Sequence, residues 1–217
     1  MKPALPRGLY VITDRQLCAD AGLAESVRAA LRGGAAIVQY RDKTADERRR
    51  LQEASELSLA CREANALFVV NDDPELARHC RAGGVHLGAK DPDISQARRI
   101  VGETTLIGVS CYDSLPRARD AVGSGCDYVA FGSAFPSPTK PGAVRAPLSL
   151  FEEAVATLPV PVVAIGGITP ANAEALIRAG CRAVAVISGV FGQADPEMAA
   201  RSYARLFEPA VEAHGLE

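Results

Sequence analysis

Ala35-Ala36-Ile37-Val38-Gln39-Tyr40-Arg41-Asp42-Lys43 decides how this chain folds. Its first four residues are apolar without a break, as in a strand covered on both faces, which is the signature of a parallel sheet. Polar residues follow. In an extended chain, Gln39, Arg41 and Lys43 point to one face and Tyr40 and Asp42 to the other. An amide and two cations at the end of a buried strand need an anion, because unpaired buried charge is costly. Two partners are open: a phosphate-bearing substrate, or Asp46 and Glu47 at a surface strand end.

Outward from that stretch the same phrase recurs. Strands are expected over 9–14, 35–40, 67–70, 84–87, 106–109, 127–131, 160–165 and 183–187. Helices are expected over 23–32, stopped by Gly33-Gly34, and over 45–65, where Leu51, Ala54, Leu57, Cys61 and Ala64 keep three-to-four spacing. Others open at Asp73-Pro74, near Ile94, at Leu115 and at Thr169-Pro170, and the last main helix covers 196–206. Eight continuously apolar strands alternating with helical stretches describe an α/β protein, a single-domain (β/α)8 TIM barrel over residues 1–217. A doubly wound open sheet is the runner-up, but no G-x-G-x-x-G follows the first strand.

The bulk properties exclude several classes. With 48% hydrophobic residues and a net charge of −2, the composition is that of an ordinary globular domain. No basic stripe suggests nucleic acid, and Arg48-Arg49-Arg50 reads as a solvated helix face. No run approaches a membrane span, and Met1–Arg7 has two prolines and no apolar core of a leader. The six cysteines include no C-x-x-C pair, so a reduced, cytoplasmic setting is expected.

In such a barrel the chemistry sits at the C-terminal ends of the strands. Those ends supply Gln39, Arg41 and Lys43; Asn71 and Asp72; Asp91; Ser110; Ser137, Thr139 and Lys140; Gly166 and Gly167; and Ser188 and Gly189. Asp73 reads as a helix cap, as does Asp93 with Gln96 three residues on. Asp72 and Asp91 are left over, and they are either ligands of Mg2+, a cation held by one or two carboxylates plus phosphates, or ordinary loop aspartates. The glycine pairs bind phosphate through backbone amides or simply make tight turns. The proline-stiffened loop over 132–143 reads as a lid or second phosphate clamp. His79 and His214 read as surface residues and His86 as a satisfied structural histidine. No nucleophile–base pair of the hydrolase type is present.

These residues fall in a familiar order: Gln39-Tyr40-Arg41-Asp42-Lys43, Asn71-Asp72, Gly84-Val85-His86-Leu87-Gly88 with Asp91, Ile107-Gly108-Val109-Ser110, Ser137-Pro138-Thr139-Lys140-Pro141-Gly142, Ala164-Ile165-Gly166-Gly167-Ile168, and Ala185-Val186-Ile187-Ser188. The chain thereby resembles the thiamin phosphate synthase family, over nearly its whole length. The resemblance implies a transferase that joins 4-amino-5-hydroxymethyl-2-methylpyrimidine diphosphate to a thiazole phosphate, giving thiamin phosphate and pyrophosphate. It implies that Gln39, Arg41, Lys43, Asn71, Ser110 and Lys140 hold the pyrimidine diphosphate, with Arg41, Lys43, Ser110 and Lys140 catalytic. Asp72 and Asp91 would carry Mg2+, and Ser137, Thr139, Gly167, Ile187 and Ser188 would receive the thiazole phosphate. The partners implied are small molecules, and homo-oligomer formation is left open. Two departures stand out: Ser137 where the family commonly has Thr, and Cys111-Tyr112 where it often has Thr-His. The alternatives on this fold are a thiazole tautomerase, which relies on a histidine near position 112, and a non-catalytic regulator that binds thiazole phosphate.

Overall fold

Each strand is followed by a helix, and the parallel strands close on themselves. The structure, a computed structural model, describes residues 2–18, 21–136 and 144–208. The strands are β1 (Gly8–Ile12), β2 (Ala35–Tyr40), β3 (Leu67–Asn71), β4 (Gly84–Leu87), β5 (Leu106–Tyr112), β6 (Tyr128–Phe131), β7 (Val162–Ile165) and β8 (Ala183–Val186). They form a closed barrel in sequence order, with β8 pairing back to β1. The helices are α1 (Leu23–Arg32), α2 (Glu47–Glu63), α3 (Pro74–His79), α4 (Ile94–Val101), α5 (Leu115–Gly123), α6 (Leu148–Thr157), α7 (Pro170–Arg178), the short α8 (Ser188–Phe191) and α9 (Pro196–Ala204). The helix expected to run to 206 ends at Ala204 and tightens into a 3-10 turn, Arg205–Phe207.

Two apolar cores result. The larger lies between the strands' outer faces and the helices. The smaller fills the barrel and includes Tyr10, Ile37, Val69, Leu106, Tyr128, Val163 and Ala185. Tyr128 fits there because its neighbour across the β5–β6 ladder is Gly108, where a Cβ would run into the tyrosine ring.

The barrel floor is closed from below. Leu5 belongs to the inner core, and its carbonyl accepts from Arg182 Nε at 2.9 Å. Asp127, just ahead of β6, takes Lys2 Nζ and Arg98 Nη2 at 2.7 Å each and the Ile107 amide at 2.8 Å. Arg7 Nη1 donates to the carbonyl of Phe207, so both ends of the described chain meet at the floor.

Candidate active site

The end of β2 alternates as an extended chain must. Tyr40 and Asp42 face α2, where Tyr40 Oη donates to Glu53 and Arg49 Nη2 donates to Asp42, each at 2.8 Å. Arg49 and Arg50 are therefore not the solvated face that the sequence suggests. Arg50 pairs with Asp73 at 2.7 Å, both arginines are half-buried, and only Arg48 of the three is exposed. On the other face Gln39 enters the barrel, only 3% exposed. The Arg41 amide donates to Thr13 Oγ1 at 2.9 Å, which fixes the backbone at the rim. Lys43 pairs with Asp72, Nζ to Oδ2 at 3.1 Å, and not with Asp46 or Glu47. Asp46 is committed elsewhere, capping α2 through the Arg49 amide at 3.0 Å.

The two leftover carboxylates come together at the same mouth. Asp72 follows β3 with a φ of 65°, a left-handed conformation that Asp tolerates, and its amide donates to the His86 carbonyl at 2.8 Å. Asp91 accepts from the Gly88 amide at 2.6 Å. It thus has a partner within its own loop, which the sequence does not suggest. Burial pushes the Asp72 carboxyl up, but the hydrogen bond shared with Asp91, together with Lys43 and Asn71, holds it below the ordinary range. Burial and that same hydrogen bond push Asp91 up. Two carboxyl groups brought together beside Lys43 offer hard oxygen donors, so the donor set suits a divalent cation of the magnesium type. Asp73 and Asp93 are caps as expected, accepting from Leu76 at 2.9 Å and Gln96 at 2.7 Å.

Below the rim, a polar chain crosses the barrel interior. Gln39 Nε2 donates to Tyr10 Oη at 2.7 Å, and Tyr10 Oη lies 3.0 Å from Tyr128 Oη. His86 Nδ1 is 3.1 Å from Tyr128 Oη, and its Nε2 is 2.9 Å from Ser110 Oγ. Both ring nitrogens of His86 are thus occupied, as a satisfied histidine requires, and burial pushes its pKa down to about 4. Ser110 sits half-buried just before a register shift in β5, and its carbonyl accepts from Arg117 Nε at 2.8 Å. Such irregularities re-aim side chains. Sequence reasoning does not single out Tyr10 or Tyr128. The available signal is a large polar-tipped residue at an inward strand position among Gly108, Ala130 and Ala185.

Across the mouth, Gly166 and Gly167 have φ of 100° and 63°, and a Cβ on Gly167 would meet the carbonyls of Phe135 and Pro136. The loop after β6 is fastened here, with the Ala134 amide donating to Ile165 and the Phe135 amide to Gly166, each at 2.9 Å. The glycines therefore have a backbone reason of their own. Ile187 stands at the N-cap of α8 and Ser188 is its first residue, and a Cβ on Gly189 would meet Tyr203 Oη. Ser137, Thr139 and Lys140, with the loop over 137–143, lie outside the described residues, as does His214. Tyr112, the departure that weighs against a tautomerase histidine, is exposed at the rim.

The sequence profile of the family described as thiamine monophosphate synthase matches residues 9–190. The chain belongs to that family. It is similar to the thiamine-phosphate synthase of Thioalkalivibrio sulfidiphilus, 52% identical over 202 residues, which cover 93% of this chain and 96% of that one. The thiamine-phosphate synthase of an Azoarcus species is likewise 52% identical over 201 residues, covering 93% of this chain and 97% of the relative. Among solved structures, thiamine phosphate pyrophosphorylase from Pyrococcus furiosus superposes with a TM-score of 0.83 at 38% identity, covering 92% of this chain and 95% of that one. The activity of the family is thiamine-phosphate synthesis, so the chain is a transferase acting on small molecules. Among the described residues, no helix is long and apolar enough to cross a membrane.

Proposed function

We propose that this synthase joins 4-amino-5-hydroxymethyl-2-methylpyrimidine diphosphate to a thiazole phosphate at the mouth formed by β2, β3, β4 and β5. The observation that carries the reading is the Asp72–Asp91 pair facing Lys43, with Ser110 on the adjacent strand. In the reaction, the bond between the pyrimidinyl methylene carbon and the diphosphate oxygen breaks, and its electron pair leaves with pyrophosphate. The lone pair of the thiazole nitrogen then forms the new carbon–nitrogen bond. No protein nucleophile and no general base are needed in either step.

The resemblance to the family supplies a role for each residue. Arg41, Lys43 and Lys140 would neutralise charge that grows on the departing diphosphate, an electrostatic contribution strongest where water is excluded. Gln39, Asn71 and Ser110 would bind and orient the pyrimidine diphosphate. Ser137, Thr139, Gly167, Ile187 and Ser188 would anchor the thiazole phosphate, holding its nitrogen in line for attack, a gain from proximity. Asp72 and Asp91 would hold Mg2+, which when bound supplies further charge neutralisation to phosphate oxygens. A cytoplasmic setting is supported by the six free, buried cysteines.

Pyrophosphate release decides the matter. It is expected only when both substrates and Mg2+ are present. Isomerisation of the thiazole without the pyrimidine would point to a tautomerase, and tight binding without turnover to a regulator. Asp72→Ala should lose activity together with its Mg2+ dependence, whereas full wild-type activity in a chelator would remove the metal from the reading.

A further inference from the structure

We propose that His86 is a positioning residue for Ser110: its Nε2–H fills the acceptor side of the serine oxygen and leaves the hydroxyl hydrogen to point into the mouth. The inference rests on the reading of Ser110 as a substrate contact, and the direction of the buried chain carries it. Gln39 Nε2 is a donor, so Tyr10 Oη receives a hydrogen from it. Tyr10 is buried, and among the described residues its other partner is Tyr128 Oη, so its own hydrogen passes there. Tyr128 Oη, having accepted, donates to His86 Nδ1. An imidazole that accepts at Nδ1 in its neutral form carries its hydrogen on Nε2. That hydrogen lies 2.9 Å from Ser110 Oγ, heavy atom to heavy atom.

Run the other way, the chain fails. Ser110 would donate to His86, His86 to Tyr128 and Tyr128 to Tyr10, which already accepts from Gln39. The Tyr10 hydrogen would then be buried with no acceptor, the kind of orphan that folded proteins avoid. Gln39 thus sets, across five strands' worth of side chains, whether Ser110 offers the substrate a hydrogen or a lone pair. With the hydrogen outward, Ser110 suits an acceptor such as a phosphate oxygen or a ring nitrogen.

The tautomer is measurable without any substrate. In the full-length protein labelled with 15N-histidine, the His86 signals, identified by their loss in His86→Gln, should show a pyridine-type Nδ1 and a pyrrole-type Nε2 at neutral pH. A pyrrole-type Nδ1, or a doubly protonated ring, would overturn the proposal. Two variants then test the role. Gln places an amide donor where Nε2 stood and keeps the contact to Ser110. Asn places its amide near Nδ1 and loses that contact. Under saturating substrates, kcat should fall on the order of tenfold in His86→Asn and stay within about twofold in His86→Gln. Losses that simply track the melting temperatures of the two variants would make His86 structural and defeat the proposal. If the wild-type protein releases no pyrophosphate, the reading of the function fails, while the tautomer measurement still judges the chain's direction.

Discussion

Replacing Gly108 by Ala tests the way the barrel interior is filled. The added Cβ would meet the ring of Tyr128, which has no exposure and is ringed by other strands. An extra carbon forced into a packed core costs about 1–3 kcal/mol, and a ring with nowhere to go belongs at the upper end. Tyr128 also holds hydrogen bonds to Tyr10 and His86. Each is worth about 1 kcal/mol net, so displacing the ring brings the total to about 3–5 kcal/mol. For a 217-residue chain that corresponds to a fall in melting temperature on the order of 10 °C. Gly123→Ala is the matched control. It adds the same methyl at the exposed end of α5 with nothing within 4 Å, and should stabilise by about 0.5–1 kcal/mol. Urea unfolding followed by circular dichroism measures both. A Gly108→Ala protein as stable as wild type, or two variants shifting in the same direction, would refute the packing argument.

Two further outcomes are expected. Lys140→Ala should slow pyrophosphate release with saturating substrates by on the order of ten- to a hundredfold, the loss of one charge-assisted contact of about 1.5–3 kcal/mol; an unchanged rate would remove Lys140 from catalysis. His86 is pushed down to about 4 by burial, with the Asp72 charge opposing. Its native pKa lies below the unfolded value, so the stability it contributes is full above about 6.5 and is lost as pH falls towards 4. The loss is roughly 3 kcal/mol. His86→Gln should remove that part of the acid slope, so the stability difference between wild type and variant narrows between those pH values. Parallel pH curves would contradict it.

Much of the fold was legible because the local rules agree. The uninterrupted apolar run in β2, the caps Asp73 and Asp93 and the proline at the start of α7 each announce their element without help from distant residues. Helix α6 announces itself less clearly, since Pro147 stands at its N-cap without a side-chain cap. Strand β5 runs on to Tyr112, past the Ser110 where its apolar run stops, because Cys111 is buried outside the barrel as the register shifts. At the site, the grouping of Lys43, Asp72, Asp91 and Ser110 at one rim follows from strand order alone. What strand order does not reveal is pairing. That Lys43 takes Asp72, that Arg49 and Arg50 are pinned inward, and that Gln39, Tyr10, Tyr128, His86 and Ser110 form one chain depends on side chains meeting across strands far apart in sequence.

The meeting of Arg7 with Phe207 beneath the barrel has a practical consequence. A tag, a fluorescent reporter or a second enzyme joined at either side of that contact would hang from the pole opposite the reacting groups. A short peptide bridging the two positions could likewise let the polypeptide be reopened at another surface loop, with strand order around the cylinder preserved.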